Sequence, residues 1–314
     1  MAESKIAVYG AIASNVAIAT VKFIVAGITG SSAMLSEGIH SLVDTGNQAL
    51  LLVGDRRSRK PPDEHHPFGY GRELYFWSLV VAIVLFGVGG GLSVYEGVTH
   101  LSRPVEQRDP VWNYAVLAFA FVAEGASLRV ALHEFRRRWK STPLWRAFRA
   151  SKDPRIFVPL AEDVAALLGL TVALVGVVLA RILNMPVWDA VSSIVIGLIL
   201  SAVALILATE TRGLLVGEPA DERILRCIED AARADAAIRG VRQVLTIHTS
   251  PDHIFLNLEV SLRRDLSVEQ IAAAVQRLKE RIQAIDPRIA HVFVEIDWHP
   301  PSAIAAQASA GAVG

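Results

Sequence analysis

His40 and Asp44 stand four residues apart inside a run otherwise apolar enough to lie in a membrane. On a helix that spacing puts an imidazole and a carboxylate on one face, one turn apart, where both can reach a single cation. Glu162 and Asp163 lie in a second such run. Helical neighbours differ by about 100° in direction, so these two carboxylates cannot face alike. Either Asp163 alone reaches the earlier pair with Glu162 at its edge, or both do so after a rotation of the helix. Ionisable groups at bilayer depth are costly and mark function. Two ligands from each of two facing helices make a four-coordinate nitrogen–oxygen site that suits zinc, and extra oxygen would favour manganese or iron(II). A lone intramembrane histidine is commonly a hydrogen-bonded packing residue. A His–Asp pair with carboxylates on another run is harder to explain that way.

The remaining intramembrane polar groups have plainer expectations. Asn47 either orders the site or bonds across helices. Lys22 and Arg129 lie toward the ends of their runs, where long cationic side chains snorkel. Glu124 lies deep in its run, where it either pairs with Arg129, the expected outcome, or assists a proton or ion path. The single cysteine, Cys227, excludes a disulfide framework and a CxxC zinc site, and is expected as a small buried apolar group.

The elements that must position these residues follow from apolar run length. The composition is 52% hydrophobic, near the soluble average, so the distribution decides the class. A span needs about 20 mostly apolar residues. Six stretches qualify: Ile6–Ile28, Met34–Val53, Leu74–Val98, Val111–Leu132, Ile156–Leu183 and Val187–Ala208. Lys and Arg crowd the loops after the second and fourth, from Arg56 to Arg72 and from Arg136 to Arg155, whereas other loops hold only Arg103, Arg108 and Arg181. Basic loops mark the cytoplasmic side, so both termini are expected in the cytoplasm. The N-terminus shows no cleavable signal pattern.

The pattern changes near Glu218. Asp221–Ala234 has helical period, Val241–His248 and Ile254–Leu262 read as strands, Ser267–Ile285 as a helix opened by a Ser267/Gln270 capping box, and His291–Trp298 as a third strand. The expected organisation is a six-helix membrane domain over 1–209, a cytoplasmic α+β domain over 210–300 with helices on one sheet face, and a disordered tail over 301–314.

The run from Ser36 to Gln48, containing His40 and Asp44, strongly resembles span two of the cation diffusion facilitators. So does His66-Pro-Phe-Gly-Tyr-Gly-Arg-Glu73 at the start of span three, and Glu162-Asp-Val-Ala-Ala-Leu-Leu-Gly169 in span five. The Glu-Asp pair is similar to that of a zinc-transporter-like subgroup. The resemblance runs from about residue 6 to about residue 300 and implies a ferredoxin-like tail. It also implies a homodimeric exporter of zinc or a similar divalent cation, driven by proton antiport. By residue it places His40, Asp44 and Asp163 in a transport site. The fourth family position is Pro159, which has no donor, so Glu162 is the candidate substitute. A second family site would use Asp63 and His66, with Tyr70 at its third position and Glu64 and His65 nearby. A tail site would retain Asp297, with Glu295 replacing a histidine.

The expected function is divalent metal efflux by alternating access, with zinc foremost and membrane lipid, protons and a second copy of the chain as partners. Metal binding requires deprotonated ligands, so metal and proton oppose each other at the site. We expect no resident cofactor, no nucleic-acid partner and no enzymatic activity. The compact loops suit a bacterial plasma membrane. One rival is a transport-inactive scaffold or metal-binding subunit, which Pro159 makes plausible. The other is a membrane-embedded metalloenzyme, which would need an open catalytic position and a general base that the sequence does not offer.

Overall fold

A computed structural model describes the backbone of residues 2–102, 111–139 and 142–297, with side chains from Asn15 onward except Arg138. The expected tail at 301–314 lies outside the described residues, as do Arg103, Arg108, Lys140, Trp298 and His299. The chain divides into two compact units, Met1–Leu215 and Val216–Gly314.

The first unit is helical. Helix α1 (Ala2–Thr29) ends at Gly30, whose φ of 73° is a conformation that only glycine adopts without cost. Ser31 then caps α2 (Ser32–Ser58), accepting from the Met34 backbone N–H at 3.1 Å. A carboxylate from far along the chain completes this cap. Asp189 accepts from the Ser31 hydroxyl and the Ser32 backbone N–H, both at 2.6 Å, which places negative charge at the positive end of α2. Helix α3 (Glu73–Val84) passes through a π-helical segment at Leu85–Gly91 into α4 (Leu92–Ser102). Helices α5 (Val111–Arg138), α6 (Leu144–Ala150), α7 (Pro154–Leu183) and α8 (Val187–Val216) follow. Asp153 caps α7, and Asn184 ends it in the left-handed conformation. The short helix α6 was not expected; it folds within the basic loop because Leu144, Trp145 and Phe148 recur at helical spacing.

Among the described residues, Glu73–Ser102, Val111–Arg137, Pro154–Leu183 and Val187–Val216 are long and apolar enough to cross a membrane. Helix α2 is long enough, but its polar content lowers its hydropathy, as expected from His40, Asp44 and Asn47. Glycines bring α8 tightly against the continuous helix formed by α3, the π-helical segment and α4. A Cβ at Gly197 would stand 2.7 Å from the Gly90 carbonyl oxygen, and one at Gly97 would stand 2.6 Å from the Ile194 side chain. Small residues that permit such approach are the usual means of helix association in lipid.

Ion pairs mark one end of the bundle. Arg155 at the start of α7 reaches Asp55 near the end of α2 at 3.1 Å. Arg57 pairs with Glu73 at 3.7 Å, and Arg149 with Glu210 at 3.2 Å. At the opposite end the Thr29 hydroxyl donates to Asn113 Oδ1 at 2.9 Å.

The second unit holds α9 (Glu222–Arg233), β1 (Ile238–Ser250), β2 (His253–Leu262), α10 (Val268–Ile285) and β3 (Ile289–Asp297). The sheet order is β1-β2-β3, with β2 antiparallel to β1 and parallel to β3. Alternate residues of β2, from Ile254 through Leu262, are buried against Ile228 and Ala232 of α9 and Leu278 and Ile282 of α10. Both helices therefore cover one sheet face, and the Ser267/Gln270 capping box is formed. Cys227 is exposed, contrary to expectation, because Ile228 takes the inward position on α9.

Candidate metal site

Helix α2 presents His40, Asp44 and Asn47 at i, i+4 and i+7, and all three are buried. His40 Nε2 lies 3.4 Å from Asp44 Oδ2, close enough for electrostatic attraction but long for a hydrogen bond. Among the described residues, neither His40 ring nitrogen, nor Asp44 Oδ1, nor Asn47 Oδ1 has a hydrogen-bond partner. Burying polar atoms without partners costs free energy, so such a cluster calls for a function.

Helix α7 supplies the facing carboxylate. Asn47 Nδ2 donates to Glu162 Oε1 at 2.6 Å, and Glu162 is buried. Asp163 turns instead toward α5, where the Ser127 hydroxyl donates to its Oδ2 at 3.1 Å. The first sequence alternative is thus reversed: Glu162 faces α2 and Asp163 looks along the α5 side. The 100° offset between neighbours separates them, and Pro159 sits one turn earlier with no donor to offer. Both carboxylates remain within electrostatic reach of Asp44. Among the described residues, no three His, Cys, Asp or Glu side chains close into a formed metal cage.

Three neighbours were missed or misread from sequence. Lys22 does not snorkel. It is fully buried, with Nζ 3.1 Å from Glu37 Oε2 and 2.8 Å from Ser41 Oγ. Its stem is long enough to reach across from α1 to α2, one turn from His40. Glu37 drew no attention in the sequence, yet its Oε1 lies where a Cβ on Gly169 of α7 would stand 2.5 Å away. The i, i+4 spacing of Glu37 and Ser41 was the available signal. Glu124 makes no ion pair with Arg129 among the described residues; it lies within electrostatic reach of Asp44, His40 and Lys22.

The loop residues are engaged with each other. Asp63 Oδ1 accepts from the backbone N–H groups of His65 (3.1 Å) and His66 (2.7 Å), and the Tyr70 hydroxyl donates to Oδ2 at 2.6 Å. Tyr70's hydrogen bond, followed by those from the backbone, holds the Asp63 carboxyl below the usual carboxylate range. His66 stacks on Tyr70 at 4.1 Å and its Nδ1 lies 3.6 Å from Asp63 Oδ1. In the second unit Asp297 is paired with Arg242, which also reaches Glu259, and Glu295 stands two residues earlier on β3. His291 packs on Phe255 at 4.7 Å, and His248 is buried.

Fold and site together define a multi-pass helical membrane protein with an ionisable cluster buried among α1, α2, α5 and α7. Residues 8–216 match the model of the cation efflux transmembrane domain, and the chain belongs to the cation efflux family. It is similar to the proton-coupled zinc antiporter SLC30A9, mitochondrial, of Homo sapiens, with 32% identity, 88% of this chain and 55% of the relative being covered. The Mus musculus counterpart is 37% identical over 71% of this chain and 40% of its own length. Metal tolerance protein C4 of Arabidopsis thaliana is 29% identical, with 85% and 59% covered. The chain spans about half the length of these relatives. The family resemblance read from the span-two and span-five motifs is borne out; the family is one of cation efflux, and the SLC30A9 relatives are named as antiporters, not enzymes.

Proposed function

We propose that the chain is a divalent metal efflux transporter, with zinc as first cargo and manganese or iron(II) as further ones, exchanging metal for protons by alternating access. The observation that carries this reading is the set of unpartnered buried donors on α2 (His40 Nδ1 and Nε2, Asp44 Oδ1, Asn47 Oδ1) facing the Glu162 carboxylate of α7. These are the hard and borderline donors that a dication takes. Asp163 and Glu124 add charge at the α5 side, where a helix movement would bring either toward the cluster. Asn47, which holds Glu162, is the natural latch between the empty and the loaded arrangement. Protons compete for the same lone pairs that metal requires, which gives the exchange its coupling.

The proposal includes six spans with both termini on the cytoplasmic side. The ion pairs that join the end of α2 to the starts of α3 and α7, and the end of α8 to α6, support this topology, because those ends carry the basic loops. A homodimer is part of the same reading, as is a bacterial plasma membrane, across which a proton gradient is maintained. Pro159 of α7, which offers no side-chain donor, supports one alternative, a transport-inactive scaffold or metal-binding subunit.

Counterflow in proteoliposomes across a panel of divalent metals, at two pH values, separates the two. The transporter reading expects zinc uptake coupled to proton movement in the wild type and none in Asp44→Asn, with both proteins eluting alike on size exclusion. Undiminished flux in Asp44→Asn removes this cluster from the mechanism, and no flux with any metal leaves the subunit reading.

A further inference from the structure

Two faces of α5 lie side by side with opposite character. Leu128 and Leu132 open into a cavity of about 460 Å³ whose lining is apolar throughout, with Trp145 and Phe148 of α6 on one wall and Ala161 and Val164 of α7 on another. Trp145 and Phe148 stack on each other at 5.9 Å with an interplanar angle of 4°. Turned by one helical position, about 100°, Arg129, His133 and Arg136 recur at i, i+4 and i+7 and line a second hollow. Leu132 lines both, so the two hollows adjoin. Glu134 also lines the second and is itself engaged with another group.

An apolar slot adjoining two arginines matches a molecule that is hydrocarbon at one end and anionic at the other. Its position suits the same molecule. The slot sits at the end of α5 where Arg136, Arg137, Arg146 and Arg149 are exposed, and Trp145 is 57% exposed at its mouth. Aromatic and basic side chains at the end of a span are the signature of the headgroup boundary. Basic pockets between helices on the cytoplasmic side hold anionic headgroups, whereas a neutral headgroup leaves the two arginines unanswered.

We propose that this paired hollow binds one anionic phospholipid, an acyl chain in the α5–α6–α7 cavity and the phosphate against Arg129 and Arg136. Its back wall includes Leu160 and Ala161, the residues immediately before Glu162. The bound lipid therefore packs against the turn of α7 that carries the candidate metal site, although the binding claim does not depend on the transport reading.

Native mass spectrometry of the purified full-length chain tests it, titrated with phosphatidylglycerol and with phosphatidylcholine of identical chains. The expected result is retention of one phosphatidylglycerol in preference to phosphatidylcholine by about tenfold or more, given two cations at the surface. Arg129→Gln/Arg136→Gln, both on the exposed face, should lose the preference while keeping the weaker binding. Ala161→Phe, which fills the cavity, should weaken both. Equal retention of the two lipids overturns the proposal, as does an unchanged preference in the double arginine variant. Displacement of the lipid by glycerol phosphate, which has no acyl chain, would show a simple phosphate site and overturn it as well.

Discussion

Replacing Lys22 with Met keeps most of the apolar stem and removes the ammonium. In the folded protein both members of the Lys22–Glu37 pair have side chains 0% exposed. Glu37 Oε1 already lacks a partner among the described residues, so the ammonium on Oε2 is the main compensation for its charge. Breaking a buried pair from one side costs about 3–5 kcal/mol, because a charge remains without water or counter-ion. For a unit of this size about 2–4 °C of melting temperature goes with each kcal/mol, which gives a fall of about 6–20 °C for Lys22→Met. Lys22→Met/Glu37→Gln removes both charges and leaves an amide of the same shape. Neighbours in one ion pair couple by about 0.5–3 kcal/mol, so the double variant should melt above the sum of the two single losses. Ser41 survives either change, since a freed hydroxyl can turn to a carbonyl of its own helix. The assay is thermal unfolding of the purified chain in nanodiscs of fixed neutral lipid. A Lys22→Met loss below about 1 kcal/mol, the range of exposed pairs, would refute the reasoning, as would strict additivity.

Other outcomes follow from the same coordinates. Gly97→Leu should loosen α4 from α8 and cost about 1–3 kcal/mol or more on melting, because even a Cβ there stands 2.7 Å from the Ala190 carbonyl oxygen. In the α2–α3 loop, Asp63 is depressed, so its stabilising contribution is present above the ordinary carboxylate range of about pH 4 and is lost as pH falls through the lower folded value. Tyr70→Phe removes the largest cause of that depression, and an NMR titration of Asp63 should show its midpoint rising. In the second unit, Asp235 is held low chiefly by the Arg277 hydrogen bond. Asp235→Asn should therefore destabilise the tail near neutral pH and flatten its acid unfolding below about pH 4, read by circular dichroism across pH.

The buried pair and the unpartnered donors stand one turn apart on α2 and have different chemical meanings. Lys22 and Glu37 satisfy each other's charge and have no spare capacity for cargo beyond Glu37 Oε1. His40, Asp44 and Asn47 keep lone pairs in reserve. Fixed internal charge beside an open donor set is a reasonable arrangement for a site that must take up and release a dication, since the surroundings hold still while the donors exchange partners.

Much of the local structure was legible in the chain, because run length and period depend on neighbouring residues alone. Each apolar run became helix, several extending five to eight residues past the expected end, and the Ser267/Gln270 box and the alternation of β2 appeared where the pattern placed them. His40 and Asp44 announced themselves by type and spacing. Which of Glu162 and Asp163 faces α2 was not legible, because helix rotation is set by packing partners far along the chain, here Asn47 and Ser127. For the same reason the sequence could not tell that Lys22 would bury its charge, that Glu124 would turn to the cluster and not to Arg129, or that Asp189 would cap a helix more than 150 residues earlier. Local pattern determined what each segment is; only three-dimensional packing decided which polar groups satisfy one another and which are left without a partner.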